Sequence, residues 1–157
     1  MATYSGSSGI QQLKAKIAMK SKMLVGETAE KITVALVDNS PVGVELYPSR
    51  LGMIPNDAGD FKNSWQVGLG SPDQSIRAAD PSGSGAVANA IVKGKAYNFQ
   101  EAVFITNSVD HAEQVEDGWQ ERPEYGWKAK GGYHVVSGSV GMAEAIAVAV
   151  AQKVSQI

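Results

Sequence analysis

If the chain performs chemistry, one stretch carries the residues for it. Val103 to Trp119 reads VFITNSVDHAEQVEDGW and gathers His111, Glu113, Glu116 and Asp117. An imidazole beside carboxylates is a ligand set for a metal, or the start of general acid and base work. The spacing argues against a preformed site. Two residues apart on a helix, His111 and Glu113 point to different faces, whereas Glu113 and Glu116 share one. One histidine among flexible carboxylates reads first as a solvated acidic helix. The chain has no cysteine, which removes thiolate catalysis, disulfides and the usual structural zinc sites. The other histidine is His134, and no Gly-x-Ser-x-Gly elbow supplies a hydrolase nucleophile. Gly68-Leu69-Gly70-Ser71 and Gly83-Ser84-Gly85 lack the Lys-Ser/Thr ending of a phosphate loop and read as turn glycines. Trp119, Tyr125 and Trp127 lie in or beside a Gly/Pro-rich loop, where partner contact and loop anchoring compete evenly.

The elements that must position these residues follow from periodicity. Val103 to Thr106 is a β-branched and aromatic run that predicts a strand ending at Asn107. Ala112 and Val115 then share a face of a short helix with an acidic side, stopped by Gly118. Upstream, Ser8 and Gln11 have capping-box spacing and open a helix running to about Asp38. Ile10, Leu13, Ile17, Leu24, Thr28, Ile32 and Ala35 form its apolar stripe. Lys14, Lys16, Lys20 and Lys22 read as its solvated face, with a nucleic-acid patch as the alternative. Gly26 is expected to mark a bend, and Asn39-Ser40-Pro41 ends the helix.

Residues 41–60 form a long loop with room for a short edge strand, and Asp60 to Gly70 predicts a strand with Trp65, Val67 and Leu69 on one face. Residues 71–85 form a polar connector, and 120–132 a second long loop. Between them Val87, Ala88, Ala90 and Ile91 support a short helix ending at Gly94. Tyr133 to Val136 suggests a short strand. Ser139 is placed to cap a last helix with Ala143, Ile146, Ala147, Val150 and Val154 on its packed face.

This order predicts an α+β fold: one domain over 1–157, with a small, mostly antiparallel sheet packed by a long N-terminal and a C-terminal helix. Residues 1–7 are expected to be a flexible N-terminus. Composition, with 43% apolar and 19% charged residues, is that of a soluble globular protein made in a cytosol, and no apolar run approaches the roughly 20 residues of a membrane span. A net charge of −2 gives no bulk attraction for nucleic acid. The residues alone reach no catalytic function and imply no cofactor.

Two segments carry a resemblance. GDFKNSWQVGLGSP, Gly59 to Pro72, and FQEAVFITNSVDHAEQVEDGW, Phe99 to Trp119, resemble the neck and tail-completion (Z-type minor tail) proteins of long-tailed, lambda-like bacteriophages. The matching positions are Gly59, Lys62, Asn63, Ser64 and Trp65, then Ile105, Thr106, Asn107, His111, Ala112, Glu116 and Gly118. His111 stands where that family usually has Tyr, and Asp117 separates the Glu from the Gly. The resemblance implies a non-enzymatic virion protein of the head-tail junction. It would form a homo-oligomeric ring, a hexamer being one expected count, between connector and tail tube. Genomic DNA would pass through without sequence-specific binding, and no membrane is involved. A tail terminator capping the tube is the alternative within this class; a small DNA-binding or metal-dependent protein is the alternative outside it. On the ring reading, Trp119, Tyr125 and Trp127 are expected at a subunit or partner interface, and Glu113, Glu116 and Asp117 along the channel.

Overall fold

A computed structural model describes residues 6–42, 59–98, 101–110, 112–119 and 130–157. Helix α1 spans Gly6–Asn39, two residues longer than expected at its start and one at its end. Ser40 closes it by donating its N–H to Val37 O (3.2 Å) and its hydroxyl to Leu36 O (2.6 Å), and Pro41 follows. The expected edge strand between 41 and 60 falls largely outside the described residues.

The chain re-enters at Gly59, whose φ of 92° is a left-handed conformation that favours glycine. Asp60–Asn63 forms a helical turn, α2, rather than the start of a strand. Its Asn63 N–H closes on Gly59 O at 2.9 Å, a local bond that a strand cannot make. Strand β1 then covers Trp65–Leu69 and pairs antiparallel with β2, Val103–Asn107, in the register Trp65↔Asn107 to Leu69↔Val103.

Both faces of β1 are covered. Trp65 and Val67 turn toward the helices, and Val67 is fully buried. Gln66, buried on the opposite face, donates to Ser75 O (3.2 Å) and accepts from Arg77 (3.0 Å). The connector from Ser71 is therefore pinned along the strand. Thr106 donates to Asp73 O, Arg77 N–H to Ser64 Oγ, and Asn63 to Ala78 O. These residues are polar because they lie at the surface, yet their carbonyls are committed.

Helix α3, Ser84–Ala96, follows a turn built on Asp80. Hydrogen bonds from the Ser84 hydroxyl first, then from the Ser82 hydroxyl and N–H, hold the Asp80 carboxyl down at about 2. On α3, Asn89 Oδ1 accepts the Val67 N–H at 2.8 Å, occupying a strand donor that would otherwise be an open edge. Downstream of β2 come α4, Ala112–Asp117, and a two-residue ladder of β3, Gly118–Trp119, with β4, Lys130–Gly131. Helix α5 spans Val135–Ser155. The expected strand at Tyr133 to Val136 is thus displaced to 130–131. Ser139 is not a cap but a buried residue of α5 whose Oγ accepts from Asn39 Nδ2 at 3.2 Å.

Helix α1 lies between α3 and α5, with the two-stranded sheet beneath α3. One core joins them: Leu36 and Val37 of α1, Phe61 of α2, Trp65 of β1, Ala86 of α3, Val109, Val115 of α4 and Val135 of α5. The architecture is α+β, as the periodicity implies. Gly26 is a point of contact: a Cβ there would stand 2.4 Å from Gly94 O, so α1 and α3 cross backbone to backbone.

Candidate functional site

The motif residues behind the family resemblance form a framework. Trp65 Nε1 donates to Ser40 Oγ (2.9 Å), tying β1 to the end of α1, and its ring meets the Phe61 ring edge-on at 5.6 Å. Asn63 joins two segments, accepting the Ala86 N–H at 3.0 Å while donating to Ala78 O at 2.8 Å. Asn107 donates to Phe61 O at 2.7 Å, so the end of β2 is fastened to α2. Ala112 packs against the core, and Gly118 takes a φ of 87° where α4 turns into β3. At Gly59 a Cβ would stand 2.4 Å from Pro81 N. These positions are joints that hold the fold together; the acceptors and donors among them are turned inward.

The carboxylates divide. Glu113 and Asp117 are exposed and, four residues apart, lie on one side of α4. Glu116 points instead at α5, where its two oxygens accept the N–H groups of Val136 (2.8 Å) and Ser137 (2.9 Å). A helix start leaves such donors unsatisfied and carries partial positive charge, so a carboxylate from another helix is a tertiary cap. Partial burial pushes the Glu116 carboxyl up. The Ser137 and Val136 hydrogen bonds, with the Ser137 hydroxyl and the His134 charge, outweigh that and hold it below the ordinary 4.5.

A depressed carboxyl contributes stability above its unfolded value and loses it as pH falls through the folded one. Glu116→Gln is therefore expected to cost about 1 kcal/mol at pH 7, the usual size of a capping loss. The difference in thermal midpoint from the parent should shrink as pH drops below 4.5. A gap that stays constant down to the acid limit would show that Glu116 does not cap α5 as a carboxylate.

Trp119 pairs through its backbone with Lys130, so the β3–β4 ladder closes the base of the aromatic loop; Tyr125 and Trp127, in that loop, lie outside the described residues, as does His111. Among the described residues, no group of three His, Asp or Glu could hold a metal ion.

The structure exposes what motif reading passed over. Every residue from Gly9 to Met19 is exposed, with Ile10 and Leu13 at 59% and Ile17 at 53%. The apolar stripe of α1 is thus covered only along its second half. Lys20 donates to Ser155 O, the last residue of α5, at 3.5 Å, and Glu27 pairs with Lys153 at 2.8 Å. Helix α5 ends there, and among the described residues α1 runs on uncovered as an arm.

Helix α5 is itself half bare. Val150 and Val154 of the expected face are buried, joined by Val135 and Ser139, while Val140 (64%) and Val148 (52%) stand in solvent. Only 17% of its most apolar window is buried, and by length and composition it could cross a membrane. That corrects the expectation that no such run exists: Ser137, Glu144 and Gln152 interrupt the run without lowering its average enough. The signal for this face was present in the valines and alanines outside the packed stripe.

A cleft of about 540 Å³ sits at the root of the arm, where Met19, Met23, Gly26 and Gly94 meet Lys22 and Lys95. Glu27, Glu30, Lys31 and Lys153 complete its lining, and Glu27 and Lys153 are paired there at 2.8 Å. Comparison with protein-family models, curated proteins and solved structures returns no match.

Proposed function

We propose that the chain is a structural protein of a bacteriophage virion, a neck or tail-completion protein that works by assembling into a ring at the head-tail junction. The observation that carries this reading is the bare apolar surface of α1 and α5. Contiguous exposed apolar faces on an otherwise well-packed chain are characteristic of surfaces covered by a partner. The framework residues support it from the other side. Gly59, Asn63, Trp65 and Asn107, which carry the resemblance to the phage family, are engaged in holding elements together. An assembly subunit needs such rigidity more than it needs reactive groups.

On this reading Glu113 and Asp117 are the carboxylates available to face a channel. Acidic walls suit a passage for DNA, because phosphate neutralisation by cations would make it adhere. The test is the mass of the protein in solution, alone and with isolated tail tubes or connector complexes. Binding to a tube or connector as a ring is expected. Failure to bind either would overturn the neck reading, and salt-sensitive binding to free duplex DNA instead would favour a nucleic-acid protein using Lys14, Lys16, Lys20 and Lys22.

A further inference from the structure

The geometry points to a specific subunit contact: the exposed arm of α1 in one copy lies along the outer face of α5 in a second copy, head to tail. This deepens the ring reading and rests on it for the choice of a second copy as the occupant; the surfaces themselves are read from the helices.

The first argument is phase. Within one chain, Glu27 and Asn39 reach Lys153 and Ser139 of α5 and so bracket the side of α1 that faces α5. At about 100° per residue, Leu24, Thr28 and Ala35 fall inside that bracket. So do Ile10, Leu13 and Ile17. The arm continues a track already used by α5, at a point where its own α5 has ended beside Lys20.

The second argument is the fit of the occupant. The side of α5 away from its buried residues carries Val140, Gly141, Ala145, Val148, Ala149 and Ala151, all exposed. Small residues let another helix approach closely. Gly9 to Met19 is about 16 Å long and Val140 to Ala151 about 18 Å, so the two surfaces match in length. Both are exposed among the described residues, and neither can cover the other within one copy while α1 and α5 remain paired as they are.

Charge supplies the third. Residues 6–26 hold four lysines and no carboxylate, leaving the remainder of the chain with ten cations against sixteen anions. Arm against arm would bring like charges together, whereas α5 offers the exposed carboxylate of Glu144, its one cation, Lys153, being paired with Glu27. Because the two surfaces differ, the contact repeats from subunit to subunit and closes into a ring when its rotation permits.

Light scattering over micromolar to millimolar concentration tests this with two variants, Leu13→Gln with Ile17→Gln on the arm and Val140→Gln with Val148→Gln on α5. All four side chains are exposed in a single copy, so circular dichroism and melting should show both variants folded. The parent protein should self-associate, and each variant alone should do so about 100-fold more weakly. Mixed together, the two should form a dimer and stop, since one intact arm and one intact α5 face remain. A monomeric parent, or a variant that associates like the parent, would overturn the contact. So would a parent that stays monomeric and partitions onto phosphatidylcholine and phosphatidylglycerol vesicles, which would assign α5 to a membrane. Self-association with the expected variant pattern, but no affinity for tubes or connectors, would leave the contact standing and remove the neck reading.

Discussion

Trp65→Ala is expected to remove about 3–5 kcal/mol of stability, measured by denaturant unfolding, because it empties a large buried volume that cannot fully collapse. The ring is 4% exposed, lies edge-on against Phe61, and sits between α1, α2 and β1. Its N–H donates to Ser40, whose own hydroxyl donates to Leu36 O, so one side chain both fills the core and fixes the end of α1. Trp65→Phe separates the two roles. It keeps most of the apolar contact and deletes the N–H, and should cost about 1–2 kcal/mol through the lost hydrogen bond and the smaller ring. Against a total stability of about 5–15 kcal/mol, the alanine variant should be marginally folded or unfolded at room temperature. An alanine cost below about 1 kcal/mol would mean that Trp65 is not part of a packed core.

Gly26→Ala should also destabilise, by about 1–3 kcal/mol, although alanine is the better helix former by about 1 kcal/mol. The new methyl would stand 2.4 Å from Gly94 O, and the reverse change Gly94→Ala would place one 2.8 Å from Gly26 O. A backbone carbonyl fixed in a helix cannot swing aside as a long side chain can, so the two helices must separate. Gly138→Ala is the control: nothing lies within 4 Å of a Cβ there, and that site is exposed in α5. There the intrinsic preference should prevail and raise stability by about 0.5–1 kcal/mol. The double variant Gly26→Ala with Gly94→Ala should cost less than the sum of its parts, since one separation accommodates both methyls. If Gly26→Ala stabilised the protein as Gly138→Ala does, the helix crossing would be wrong.

The sequence revealed the long elements better than their partners. Over thirty residues the α1 helix is legible, yet the expected stripe is not the face it buries most: of that stripe only Ala35 is buried, while Ala29, Thr33, Leu36 and Val37 lie off it. Periodicity cannot report that α5 meets α1 from Asn39 through Glu27 and ends beside Lys20. At the start of α5, Val135 and Val136 carry strand preference and no local cap. The structure supplies the cap from Glu116, 20 residues away, and no local signal could announce it. The contact between Gly26 and Gly94 was hidden for a similar reason, since a glycine in a helix looks the same whether or not another backbone presses on it. The carboxylate trio was divided by that same tertiary cap, which takes Glu116 and leaves Glu113 and Asp117 in solvent. By contrast β2 was legible because Val103 to Thr106 is branched and aromatic and Asn107 ends it, whereas β1 was legible only from Trp65 onward, the start of its expected range being the turn of α2.

The register of the small sheet bears on how the chain reaches this state. A hairpin zips from its turn, but Leu69 and Val103, the nearest partners of the β1–β2 ladder, are separated by the whole connector and α3. No short loop holds the strands near one another, so closing the ladder means meeting the entropy of a long loop before any rung repays it. Asn89 of α3 already occupies the Val67 N–H on the strand's other edge. The helix is therefore the turn's substitute: it must fold and lie back over β1 to deliver β2. Sheet and helix are therefore expected to form in one cooperative step.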